Sequence, residues 1–383
     1  MFSQYIHSIY SAFLLFPILA LVFTLPYLLY QYRKYGSVVI FRAAVVYSFI
    51  LYLLCTYFLV ILPLPSLEEA AAGTGPIWQL HPLQFCRDIL AIDGFSPRDL
   101  GTYGILLHNV DFWHTILNMV ILVPLGVYLR YYFKRGWFTT VLIGFALSLF
   151  FEFTQLSALY GIYPRPYRVF DVDDLLCNTF GALCGFIIAP LFTWVFPKRE
   201  KLDEISYTRG ESISPLRRLI AAAVDWLIIF ALLWLLGNII KSPEAAGFTP
   251  GNIILYVLLV ALYFIGGTYV LGGATVGKKI VKLQITDEKG GRAGLGQYAI
   301  RYGLLYYLCL PSLYVAIKLN ELSYTVHYSW AVTILVGVFA LVFFIFFFQA
   351  LSTFFKKDRV MLHERFSHTR CQSLIMRDYD REI

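Results

Sequence analysis

The sequence predicts an all-α fold: a polytopic bundle of transmembrane helices, about nine spans by length, gathered in two bundles with a short cytoplasmic hairpin in the second half. Three observations predict it. Hydrophobic residues make up 59% of the 383-residue chain and charged residues only 14%, well below the roughly 25% of a soluble domain. Apolar runs repeatedly reach the ~18–20 residues that a helix needs to cross hydrocarbon. These runs are long and unbroken, whereas a membrane barrel would show short alternating segments.

The runs fall near 11–32, 38–62, 111–132, 138–159, 173–195, 216–239, 252–271, 300–318 and 328–350. The first, from Ser11 to Tyr30, has the look of a secretory signal, but it lacks a basic leading region and a small-x-small cleavage site, so it is expected to be a span. Of the six cysteines, Cys55, Cys177, Cys184 and Cys309 fall in spans and Cys86 and Cys371 in loops. No disulfide framework or metal-ligand spacing emerges from them, and no metal or cofactor is expected.

Basic residues near span ends set orientation. The connection 31–42 carries Arg33, Lys34 and Arg42 without an acid, and 129–137 carries Arg130, Lys134 and Arg135. Both are expected in the cytoplasm. Residues 63–110 hold Glu68, Glu69, Asp88, Asp93 and Asp99 against Arg87 and Arg98, which places that loop outside. Alternation then predicts a multi-pass cell-membrane protein with its N-terminus and the connection 160–172 outside and its C-terminus cytoplasmic. The net charge of +7 is explained by this topology and by contact with anionic lipid, so nucleic acid is not needed as a partner.

Composition shifts between Pro197 and Ser214, where mixed charge, Ser and Gly replace apolar sequence. The expected organisation is a first membrane domain over 1–196, a cytoplasmic linker over 197–214 and a second membrane domain over 215–376. No self-similarity between the halves marks a transporter of repeated design. Prolines 63, 65, 76, 82 and 97 exclude one continuous helix from the outer loop. In the second half Val281, Leu283 and Ile285 alternate with Lys282 and Gln284 before Lys289-Gly290-Gly291, which is the hairpin signal.

The first polar constellation gathers around one short connection. Asn118, Pro124 and Gly126 lie in the third run, with His114 one turn before Asn118; proline bends a helix and glycine lets helices approach. Glu152 and Gln155 are three apart and share a face. Arg168 precedes Asp171, Asp174 and Asn178, whose offsets place the last three on one face of the next helix. Asp171 or Asp173 is expected to cap it, and Arg165 and Asp173 are expected to belong to the loop. Ionisable groups so near hydrocarbon are costly and tend to face partners, water or a substrate path.

Asn118, Pro124-x-Gly126, Glu152-x-x-Gln155 and Arg168-x-x-Asp171-x-x-Asp174-x-x-x-Asn178 resemble the VanZ-like family over roughly residues 10–195. The resemblance implies a membrane protein linked to low-level resistance to the glycopeptide teicoplanin. The polar His108, Asn109 and His114 region departs from the family helix. Converging acids, Arg, His and Asn can bind a lipid head group or other lipid-linked or glycopeptide ligand, with Arg168 on phosphate and the acids on an amine. They can also hold a divalent cation through Glu152, Asp171 and Asp174, or supply acid–base chemistry to a lipid-linked substrate. A structural ion-pair network is the plain alternative.

In the second half, Arg218 and Asp225 stand seven apart on nearly one helix face, so Arg218 is the expected partner of Asp225. Thr275, Gly277, Lys278, Arg301 and His363-Glu364 follow. Together these residues are similar to the RDD family over roughly 212–375. Glu364 stands where the family carries its second aspartate. That resemblance implies a cation or proton transporter in some members, while locking of helices by Arg218 is the competing role. Gly272 to Lys278 fits a phosphate-binding loop only by letter pattern: Lys279 replaces the Ser or Thr, and neither a preceding strand nor a following helix is expected. The basic segment after the last span is expected to lie on the inner leaflet. No catalytic motif is recognised, and oligomeric state is not legible.

Overall fold

The computed structural model describes residues 2–239, 250–325, 330–355 and 360–375. Among these, nine helices are long and apolar enough to cross a membrane: α1 Ile9–Tyr35, α2 Ile40–Ile61, α3 Val110–Tyr131, α4 Trp137–Leu156, α5 Val172–Thr193, α6 Pro215–Leu236, α7 Ile253–Val270, α8 Leu295–Glu321 and α9 Trp330–Ser352. The all-helical membrane bundle is therefore present, with spans within a few residues of the apolar runs. The chain divides into two compact units, Met1–Thr24 with Ile40–Leu202 and Leu25–Val39 with Asp203–Ile383.

In the first unit α5 packs against both α3 and α4. The sequence allows close approach because small residues face one another. A Cβ on Gly126 would collide with the Ala182 carbonyl, and one on Gly181 with the Met119 carbonyl. Leu122, Leu125, Leu129, Phe151 and Ala182 fill the adjoining core. The bend expected from Pro124 is present. Helix Val110–Ile121 stops at Leu122, and Val123–Tyr131 restarts with Pro124 in its first turn, where a missing N–H costs nothing.

The loop before α3 is ordered in short pieces. Helix Leu67–Ala72 begins at a reciprocal Ser66 and Glu69 capping box. Strand β1, Trp78–Gln79, pairs in parallel with β2, Phe170–Asp171, and helix Gln84–Leu90 follows. The two-residue pairing brings this loop to the start of α5, which is where the polar constellation lies.

The second unit contains a core of Ile229, Val260, Phe264, Tyr298, Tyr302 and Tyr306 and another around Tyr32, Ile220, Ala221, Val281 and Leu283. Residues 25–39 belong here, a grouping that composition does not announce. The stretch 197–214 is mainly helical, Arg199–Glu211. Leu202, Ser206 and Gly210 are buried, so a polar composition conceals a face with packing duties. Ser37 donates to the Ser206 carbonyl at 2.6 Å.

The expected hairpin is corrected. Strand β3, Leu283–Asp287, does exist, but its antiparallel partner is β4, Thr369–Ser373; only a single bridge, Thr286 to Arg292, closes the local turn. The return sequence Gly290-Gly291 offers no side chains to pack, whereas Thr369 to Ser373 can pair along the whole strand. Spans α7 and α8 each contain a π-helical stretch, Ala261–Gly267 and Gly303–Cys309, a geometry that often marks functional positions. Lys356 to Arg359, part of the basic segment, lie outside the described residues.

Candidate functional site

The start of α5 organises the first unit's polar cluster. Asp171 is its N-cap and accepts from the Asp173 amide at 2.8 Å, while its own amide donates to Glu152 Oε2 at 2.9 Å. Burial chiefly pushes Asp171 up to about 6, the Asp174 and Asp173 charges adding to it and the Asp173 amide opposing it. Asn118 donates to Asp174 Oδ1, tying α3 to α5. Asn178 donates to Ser148 at 2.9 Å, and its buried Oδ1 has no hydrogen-bond partner among the described residues.

Asp173 has a larger part than expected. It is 5% exposed and accepts from the Leu83 amide at 2.6 Å, the Phe85 amide at 2.9 Å and Gln79 Nε2 at 3.4 Å. One carboxylate thus caps the loop helix Gln84–Leu90 from another element. The cap role assigned from sequence to Asp171 or Asp173 is split: Asp171 caps its own helix and Asp173 the loop's.

Two predicted members stand apart from the cluster. Gln155 points to α2, donating to the Val60 carbonyl at 3.0 Å. Arg168 is half-buried and makes no hydrogen bond or ion pair with a described residue, although its charge acts on Glu152 and Asp174. Arg165 instead donates to the Gly73 and Gly75 carbonyls, holding the loop.

In front of this cluster lies a cleft of about 310 Å³, lined by Asp88, Asp111, His114, Asp171, Asp173 and Asp174, together with Gln79 and Gln84. Arg168 and Glu152 do not line it. Asp111 and His114 are exposed on α3, and Asp88 accepts from Gln84 at 2.8 Å. Sequence reasoning missed Asp88, Asp111, Gln79 and Gln84. Asp88 falls in the outer loop and Asp111 at the first position of the third apolar run; the only available signal was their acidity near a span end. Among the described residues no three His, Cys, Asp or Glu side chains are grouped so as to hold a metal ion. An open cleft rich in carboxylate and amide oxygen can hold a cation or a protonated amine by charge-assisted hydrogen bonds.

The second unit carries two buried carboxylates. Asp225 is 0% exposed and accepts from Tyr263 OH at 2.7 Å, Thr275 Oγ1 at 2.6 Å and the Gly277 amide at 2.7 Å; Lys278 Nζ lies 4.0 Å away. The expected Arg218–Asp225 pair is absent. Two turns of helix separate them by ~10 Å, and Arg218 instead reaches Glu364 at 2.9 Å. Arg301 binds the other Glu364 oxygen at 2.8 Å and Thr369 at 2.7 Å.

Burial works against ionisation of Glu364, yet the Arg301 and Arg218 guanidiniums outweigh it and hold this carboxyl down at about 2. Neighbouring His363 is pushed down to about 3, by burial first and then by Arg301, and is neutral at pH 7. Sequence reasoning also missed Arg217, 0% exposed, which donates to the carbonyls of Val281, Gly210 and Lys282 and to Ser373, each at 2.9 Å. Adjacent arginines are indistinguishable by type; only the helix phase separates them.

Comparison with known families agrees with this division. Residues 49–193 match the VanZ/LLP1 family model and residues 213–368 the RDD family model. No curated protein and no solved structure gives a significant match. The chain is a multi-pass membrane protein of the cell envelope in which a VanZ-like segment is followed by an RDD family segment.

Proposed function

We propose that the first unit binds an amine-bearing ligand, such as a lipid head group, in the acidic cleft at the outer face of the cell membrane, and through it contributes to glycopeptide tolerance. One observation carries the reading: Asp88, Asp111, Asp171 and Asp174 converge on an open cleft of about 310 Å³, whose wall the clamped Asp173 completes, while Arg168 stays outside its lining. That arrangement supports an amine over a phosphate as the group bound. Basic residues at the loops 31–42 and 129–137 support the outer location, with the N-terminus outside and the C-terminus in the cytoplasm.

The RDD-like half has a supporting role in this reading. Both oxygens of Asp225 and of Glu364 are filled by protein donors, which suits clamps between helices better than a relay that must take up and release a cation.

The test is tolerance in a teicoplanin-susceptible host expressing the full chain or the Asp88→Asn/Asp111→Asn variant at matched abundance. Wild type is expected to raise the inhibitory concentration and the variant to return it to the host's value. Equal tolerance from both chains contradicts the role of the cleft. A membrane-impermeant thiol reagent on intact cells is expected to label Cys86 and spare Cys371, and the opposite pattern overturns the orientation.

A further inference from the structure

The second unit contains a cavity of about 490 Å³ that the preceding reading does not use. Its volume falls in the ~300–1,000 Å³ range of ligand pockets. Arg218, Lys278, Arg301 and His363 line one end, and no Asp or Glu lines any part of it. Glu364 and Asp225 stand behind these cations. Three cations against two carboxylates, with His363 neutral and the buried Arg217 beside them, leave the site net positive. Arg218 Nε is buried and has no hydrogen-bond partner among the described residues.

The rest of the wall is mainly apolar and changes along the helices. Arg218 lies in the first turn of α6 and Arg301 in the second turn of α8, while Gln349 and Ala350 close α9. From this polar end the wall runs through Leu305, Tyr306 and Cys309 of the π-helical stretch, ~10 Å deeper by helical rise. Across from them Phe343 and Phe347 stack with ring centres 6.0 Å apart, and Phe347 is 49% exposed, leaving that side open to hydrocarbon. Charge at the membrane boundary grading into an open aromatic groove is the polarity of a phospholipid in a leaflet.

We propose that this cavity holds an anionic membrane phospholipid, its phosphodiester at Arg218 and Lys278 and an acyl chain along α8 and α9. The phosphodiester's negative charge opposes the net positive charge of the site, and the Arg218 and Lys278 side chains that line the cavity supply its donors.

The experiment uses the purified full chain in nanodiscs of phosphatidylcholine with increasing phosphatidylglycerol. Native mass spectrometry after detergent release counts retained lipid, and the Tm is followed in parallel. Wild type is expected to retain one phosphatidylglycerol well above its share of the bilayer and to gain Tm. Lys278→Gln, which removes the phosphate contact, and Ala222→Phe, which fills the cavity, are each expected to weaken retention at least tenfold. Equal retention of both lipids overturns the proposal, as does an equal Tm gain from inorganic phosphate alone, which marks an anion site without an amphiphile. Folded variants that retain phosphatidylglycerol like wild type also overturn it. Should either variant fail to fold, the wild-type comparison of phosphatidylglycerol, phosphatidylcholine and phosphate decides.

Discussion

Asp173, Asp225 and Glu364 meet protein donors with both oxygens, whereas the exposed Asp111 has its carboxylate turned toward an open cleft. The same residue type therefore divides into clamps and ligand-facing groups by how far its lone pairs are already filled. Asp173→Ala leaves the Leu83 and Phe85 amides without their acceptor, a loss of about 2–3 kcal/mol for charged hydrogen bonds. Limited proteolysis is expected to cut near residues 80–90 in that variant while sparing wild type.

The Glu364 and His363 environment gives a pH dependence with a definite sign. Both groups bind protons less readily when folded than at their ordinary values of 4.5 and 6.5. Their stabilising contribution is present above about 6.5 and declines as pH falls toward the folded values near 3 and 2. The difference in unfolding temperature between wild type and His363→Phe, measured from pH 7 to 3, isolates the histidine's share and is expected to shift against wild type as pH falls below about 6.5. A difference that shifts in favour of wild type on acidification would contradict the assignment.

At the scale of elements, small residues set how α5 meets α3. Gly181 lies against the Met119 carbonyl, and a larger side chain there forces the helices apart; overpacking of this kind costs about 1–3 kcal/mol or more. Gly181→Val is expected to lower the Tm by several degrees and to remove ligand response, because Asn118 on α3 would no longer reach Asp174 on α5. Spans, the bend at Pro124 and the strand at 283–287 were legible because length, proline chemistry and alternation are local signals. The partner of that strand was not, since Thr369 to Ser373 lie more than eighty residues away and carry no mark of the pairing. Helix Arg199–Glu211 was hidden for a related reason: its mixed charge describes the exposed face and says little about buried Leu202 and Ser206.

For the whole molecule, two membrane segments of different family are joined in one chain, and each has a polar site at a span boundary. Helical offsets grouped Asp171, Asp174 and Asn178 because spacings of three and seven obey the helical period, whereas Asn118, on another helix, joined them only through the family resemblance and donates to Asp174. Offsets could not separate Gln155, whose partner is on α2, or pair Arg218 with Glu364 across the chain. The cleft itself required the loop 78–90 to fold back onto α5, a long-range event driven by Asp173 and the β1–β2 contact. An amine-binding outer cleft and an anion-binding cavity predict opposite lipid preferences for the two halves.

That opposition allows the central claim to be measured on one preparation. The full chain is placed in nanodiscs of phosphatidylcholine with or without phosphatidylethanolamine, whose primary amine can donate to the cleft carboxylates where a quaternary amine cannot, and the Tm is recorded for wild type and Asp88→Asn/Asp111→Asn. A Tm gain from phosphatidylethanolamine in wild type that disappears in the variant is the predicted result; an equal gain in both proteins, or none in wild type, would contradict an amine-binding cleft.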